Sequence, residues 1–157
     1  MLETKVHIQA SILDRLLDDD PGNTRESVQH NAVEFRQIMA SVRRDLENLL
    51  NTRRFILPLP AAYSELGNSL LVYGLPDFSN RNPAQLGIMD LLRLELTKTI
   101  ARFEPRLKNV NITVDSDGSH RGLRFRISAI LVVDPITEPV VFDTSFDVNR
   151  GSYSIAK

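Results

Sequence analysis

Apolar residues recur along this chain at two different periods. From Val28 they fall at Ala32, Phe35, Met39, Val42, Leu46 and Leu49, in steps of 4, 3, 4, 3, 4 and 3. This heptad spacing predicts a long helix with a narrow apolar seam that suits one partner helix or the core. Asn23 or Thr24 can cap its start, and Glu26 stands three residues after Asn23 as in a capping box. Its end is predicted near Asn51-Thr52-Arg53-Arg54, where arginines complement the helix dipole. A second helix is predicted to open at Asn82-Pro83, with Asn as N-cap and Pro at the first helical position. Its apolar face would hold Ile88, Leu91, Leu92, Leu96, Ile100 and Phe103, and Pro105 would end it by disfavouring helical geometry at Glu104.

The last third switches to period two. Val110, Ile112 and Val114 alternate with polar residues, and Asp117-Gly118 reads as a turn. Leu123, Phe125, Ile127, Ala129, Leu131 and Val133 follow, with Arg124, Arg126 and Ser128 on the opposite face. After a break at Asp134-Pro135, Val140, Phe142, Thr144, Phe146 and Val148 alternate again. Asn149-Arg150-Gly151 turns the chain into a short last strand, Tyr153-Ser154-Ile155. Helices first and strands later predict an α+β fold, with two long helices packed on a small antiparallel sheet of three to four strands. Before the first long helix, Ser11 to Leu17 reads as a short amphipathic helix, stopped by Asp18-Asp19-Asp20-Pro21-Gly22. Residues 55–82 read as irregular, with a turn at Gly74-Leu75-Pro76-Asp77. The expected organisation is an N-terminal segment over residues 1–22 and one α+β domain over residues 23–157.

Composition then removes several functions. The 157 residues carry 19 basic and 20 acidic side chains, a formal charge of −1, so no global field draws the chain to nucleic acid or an anionic membrane. The absence of cysteine excludes thiolate metal sites, disulfides and cysteine nucleophiles. No signal-peptide pattern opens the sequence, and no apolar run approaches the roughly 20 residues of a membrane helix, so a cytoplasmic protein is expected. His7, His30 and His120 are isolated, and Asp18-Asp19-Asp20 lacks the glycine and oxygen ligand that a calcium loop needs next. No metal or other cofactor is expected. Glu104 with Asp45 or Asp77 is the best available carboxylate pair for glycoside hydrolysis, but Arg106 beside Glu104 argues against a neutral acid, and no enzyme is expected. Arg43-Arg44 and Arg53-Arg54 lack interleaved aromatic residues and read as solvated helix surface.

What remains is interaction. Glu104-Pro105-Arg106 would place an acid and a base at a helix stop, either to dock a partner or to brace the corner internally. Tyr153, Ser154 and Ile155 would form an edge strand open to another chain's strand, which proline at Ser154 would block without harming the fold.

Four segments in order resemble the TssE family, part of the lysozyme-like proteins of contractile-phage baseplates. They are Ser11-Ile12-Leu13-Asp14-Arg15-Leu16; Arg44 to Arg54; Ser69-Leu70-Leu71-Val72-Tyr73-Gly74-Leu75-Pro76-Asp77; and Phe103-Glu104-Pro105-Arg106-Leu107. Pro139 to Thr144 and Gly151-Ser152-Tyr153 extend the likeness. The resemblance implies a structural subunit of a type VI secretion baseplate, cytoplasmic and docked at the inner face of the membrane. Its implied partners are the TssF and TssG wedge subunits, TssK, a VgrG hub and the TssB–TssC sheath, whose polymerisation such a subunit would seed through strand exchange. The related wedge subunit of a phage tail or of an extracellular contractile particle is the alternative, and Asp14-Arg15-Leu16 favours the type VI branch. The lysozyme-like label does not imply peptidoglycan cleavage.

Overall fold

A computed structural model describes residues 11–16, 35–55, 63–78, 87–115, 123–147 and 150–156. In chain order these form helix α1 (Ile12–Leu16), helix α2 (Phe35–Asn51), two short 3-10 turns (Ser64–Asn68 and Leu70–Val72) and helix α3 (Ile88–Phe103). Strands β1 (Leu107–Asp115), β2 (Leu123–Val133), β3 (Ile136–Asp147) and β4 (Ser152–Ile155) follow. The strands pair in sequence order β1-β2-β3-β4, every neighbour antiparallel. The α+β reading and the four-strand sheet therefore hold, with two main helices of 17 and 16 residues, not clearly long. The expected helix starts at Asn23 and Asn82, the turn at Asp117-Gly118 and Val148 lie outside the described residues. The described α3 begins at Ile88 after Gly87, whose φ of +82° suits a residue without a Cβ.

One face of the sheet is the core. Phe125, Ile127, Ala129 and Leu131 on β2 meet Val140 and Phe142 on β3, and Leu46, Leu49, Leu96 and Ile100 press on them from α2 and α3. Period-two burial along β2 and β3 matches the alternation in the sequence. The helices depart from the expected pattern. On α2 the buried set is Ile38, Ser41, Val42, Leu46, Leu49 and Leu50, whereas Phe35 and Met39 of the heptad seam are half-buried. A sheet is a broader surface than a helix, so the stripe widens beyond a heptad seam. On α3, Leu91 is 48% exposed and Thr99 takes a place in the buried face.

Three further details position the surface. In β1 the register shifts between Lys108 and Asn111, and Asn109 there has a φ of 52°, the conformation of a bulge residue. β3 is the longest strand and overruns β4, which pairs only with Thr144 to Asp147. Pro139 lies on that overrun, opposite Ile130 of β2. Among the described residues no helix is long and apolar enough to cross a membrane.

Candidate functional site

The corner between α3 and β1 is built by the chain's own stop signal. The Glu104 N–H still bonds to the Ile100 carbonyl at 2.8 Å, Pro105 then turns the chain, and the Leu107 N–H returns to the Glu104 carbonyl at 3.1 Å. Pro105 is exposed, but Glu104 is only 4% exposed. An isolated carboxylate at that depth would be costly, so its environment must supply a cation. Arg106 does. Its Nε and Nη2 bond to Glu104 Oε1 and Oε2, both at 2.6 Å, a bidentate fork.

The same guanidinium reaches across to α2. Nη2 lies 2.6 Å from Asp45 Oδ2 and Nη1 lies 3.1 Å from Ser41 Oγ. Arg44 holds the other side of Asp45 at 3.1 Å and also bonds to Asp14 Oδ1 on α1 at 2.6 Å. Ser41 and Ser11 donate to Asp14 Oδ2 at 2.7 and 2.6 Å. Asp14, Asp45 and Glu104 thus alternate with Arg44 and Arg106 in one network that ties α1, α2 and the α3–β1 corner together. The hydrogen bond to Glu104 pushes the pKa of Arg106 up despite burial, so the guanidinium stays charged. Burial likewise pushes the Tyr73 hydroxyl up, reinforced by the charges of Asp45 and Glu104. Tyr73 stacks edge-on against Phe103, with centroids 5.2 Å apart. Tyr73, Phe103, Asp45, Glu104 and Arg106, with Leu13, Asn48, Leu49 and Pro105, line a cleft of about 310 Å³.

Asp14 gives this network a pH limit. Burial alone would raise its carboxyl, but hydrogen bonds from Ser11, Ser41 and Arg44 outweigh that and lower it from 3.8 to about 2. Its contribution is present above the unfolded value of 3.8 and fades as pH falls toward about 2. At this partly open site the tie is worth about 1 kcal/mol after solvent screening. Protection of the α1 amides, taken relative to the intrinsic exchange rate at each pH, is expected to fall between those two pH values, with Asp14→Asn already poorly protected at pH 5. Equal α1 protection in the two proteins at pH 5 would contradict the role given to Asp14.

The chemistry available here is bracing. Asp45 and Glu104 are brought together, as a carboxylate pair would need, but Arg106 sits between them. Asp77 lies elsewhere, paired with Arg53 at 3.2 Å, while Arg54 pairs with Glu95 at 3.2 Å. Arg44, Arg53 and Arg54 of the basic doublets therefore all have acidic partners. Sequence reasoning marked Glu104 and Arg106, and Asp45 as a carboxylate neighbour, but placed neither Ser41 nor Asp14 in the corner. It also gave Arg44 no role in the corner. The Ser11 to Asp14 spacing of an N-terminal cap was the one local clue.

The other expected site, the edge of β4, is engaged from within the chain. Asn51, the last residue of α2, donates Nδ2 to the Tyr153 carbonyl at 3.0 Å and accepts the Tyr153 N–H at 2.8 Å. Glu47 accepts the Ile155 N–H at 2.9 Å. A carboxamide facing both groups of one residue reproduces the paired bonds of a neighbouring strand. Ser154 turns the other way, into β3, where its partner is Ser145. Proline at Ser154 would therefore cut a bond of the sheet itself, and the expectation that it spares the fold is corrected. Tyr153 packs on Phe146 and Phe125, and burial pushes its hydroxyl up to about 12.

Residues 36–136, more than half of the chain, match the family model of the baseplate wedge protein gp25. The span contains Ser41, Arg44, Asp45, Glu104 and Arg106, and stops before Asn51's partner strand β4. No curated protein matches the chain.

Proposed function

From the premise that the chain belongs to the baseplate wedge protein gp25 family, structural components of phage-like contractile baseplates, we propose that it is the TssE-like wedge subunit of a bacterial type VI secretion system. In this reading it is not an enzyme. It joins TssF and TssG in the wedge, lies near TssK and the VgrG hub, and anchors the first TssB–TssC sheath subunits. It works in the cytoplasm, in a baseplate docked at the inner face of the membrane. Residues 1–22 form an N-terminal segment, and residues 23–157 form the wedge domain.

The observation that carries the reading is the family match together with the rigid corner inside it. A wedge subunit has to hold a fixed shape while force passes through the assembly. A network that ties two helices and the first strand through a buried Glu–Arg fork supplies that stiffness. The exposed Pro105 and the adjoining cleft offer a TssF–TssG contact whose backbone the network positions, so Glu104 and Arg106 act there by shaping the surface. The ordered segment Asp14-Arg15-Leu16 supports the type VI branch over a phage tail.

Co-expression tests this. The wild-type chain is expected to co-elute with TssF and TssG in size-exclusion chromatography. Glu104→Ala is expected to lower both the melting temperature and the recovery of that complex. Retained binding in the destabilised variant would remove the corner from the interface, and separate elution of the wild-type chain would overturn the wedge assignment.

A further inference from the structure

We propose that the sheet receives a partner strand at β1, and that α2 keeps β4 closed to it. The proposal rests on the reading that a contractile-sheath segment adds to this sheet, and it names the edge.

The two edges of the sheet differ in what already occupies them. Successive residues of a strand point their N–H and C=O to opposite sides. Along β2, the Val132 N–H bonds to the Arg106 carbonyl on the β1 side at 2.8 Å, so the even-numbered residues of β2 face β1. Their partners beyond the bulge are Asn111, Thr113 and Asp115, opposite Ser128, Arg126 and Arg124. Ile112 and Val114 therefore turn their N–H and C=O outward, where no described residue bonds to them. The same alternation carried across β3 reaches β4 with Ala156 N–H on the Asp143 carbonyl at 2.8 Å, which leaves Tyr153 and Ile155 outward. Those are the residues that Asn51 and Glu47 hold. β4 is closed by side chains that imitate a strand, the stretch of β3 beyond it lacks an outward N–H at Pro139, and β1 presents two residues whose outward backbone groups no described residue takes up.

Packing points the same way. On the core face, Ile112 is buried, but Val110 and Val114 on either side of it are only half-buried, while Phe125, Ile127 and Ala129 on the adjacent strand are fully buried. A strand laid beside β1 would cover both valines with its own inward side chains. The bulge at Asn109 bends the first part of β1 and limits the straight acceptor to Asn111–Asp115. The occupant is thus a short extended segment of another chain, about five residues, apolar at alternate positions and bonded mainly through its backbone.

Amide-resolved hydrogen exchange on the full chain, with and without purified TssB–TssC, tests the assignment. In the free chain, Ile112 and Val114 amides are expected to exchange at least tenfold faster than those of Tyr153 and Ile155. Addition of TssB–TssC should slow Ile112 and Val114 selectively. Val114→Pro removes an outward donor while leaving the β1–β2 ladder intact; it should abolish sheath capture with little change in melting temperature, whereas Asn51→Ala should leave capture unchanged. New protection at Tyr153 and Ile155 in place of Ile112 and Val114 would overturn the edge assignment while keeping the sheath reading. No new protection anywhere would overturn both. Protection of Ile112 and Val114 that grows with concentration of the free chain would make a second copy the occupant and also overturn the proposal.

Discussion

Replacing Arg106 by methionine is expected to destabilise the protein by roughly 3–5 kcal/mol, as for other buried pairs that lose one partner. Methionine fills a comparable volume, so the loss is electrostatic. Glu104, 4% exposed, would keep its burial and lose the bidentate fork that holds both of its oxygens at 2.6 Å. Asp45 would be left to Arg44, and Ser41 would lose a donor. Lysine at 106 should recover only part of the loss, because one ammonium cannot reproduce a planar fork that meets Glu104, Asp45 and Ser41 together. The double variant Arg106→Met with Glu104→Leu should regain most of the stability, since removing both members of a buried pair is often close to neutral. Denaturant midpoints at constant slope measure all three. A single-variant loss under about 1 kcal/mol would mean that apolar packing alone holds the corner.

The second large effect is expected at Gly74. Its φ is +96°, and a Cβ there would overlap the Thr52 carbonyl oxygen and lie 2.8 Å from the carbonyl carbon. Backbone meets backbone at this point for a reason. The Leu75 N–H bonds to the Thr52 carbonyl at 2.8 Å and the Arg54 N–H bonds to the Leu75 carbonyl at 2.7 Å, a parallel bridge that pins the segment after the 3-10 turns to the end of α2. Gly74→Ala would combine a disfavoured dihedral with a clash that no side chain can relieve. A loss above about 3 kcal/mol is expected, which for a chain of this size corresponds to a drop of about 6–12 °C in melting temperature. Gly67→Ala is the control. A Cβ there meets nothing within 4 Å, and a change within about 1 kcal/mol, of either sign, is expected. Similar melting temperatures for the two variants would show that the bridge does not hold Gly74 in place.

The contrast between these features explains what could be read from sequence. The strands were legible because a half-buried strand writes its burial into every second residue, and Phe125 to Leu131 carry that signal without interruption. The turn at Asp134-Pro135 was legible from its breaker residues. The helix faces were only partly legible. Apolar spacing on α2 suggested a seam, but the surface opposite it is a sheet, which also recruits Ile38, Ser41 and Leu50. The corner was visible as Glu104-Pro105-Arg106, yet nothing local says that the acid points inward. Its other members, Asp14, Ser41 and Asp45, lie 59 to 90 positions upstream of Glu104 and join it only through the packing of α1 and α2. The closure of β4 was hidden for the same reason. Asn51 and Tyr153 are 102 residues apart, and an asparagine at a helix end ordinarily signals only the end of the helix.

Pro139 has a consequence for the protein's behaviour in concentrated solution. Where β3 overruns β4, the backbone groups of every second residue have no neighbouring strand among the described residues, and the adjacent Val140, Val141 and Phe142 are the kind of run that templates fibrils. At residue 139 the group that would have donated outward is a ring carbon instead of an N–H. An incoming strand would find its ladder interrupted at the start of the apolar run. The overrun can thus remain long enough to complete the core opposite Ile130 without recruiting further copies into an aggregate.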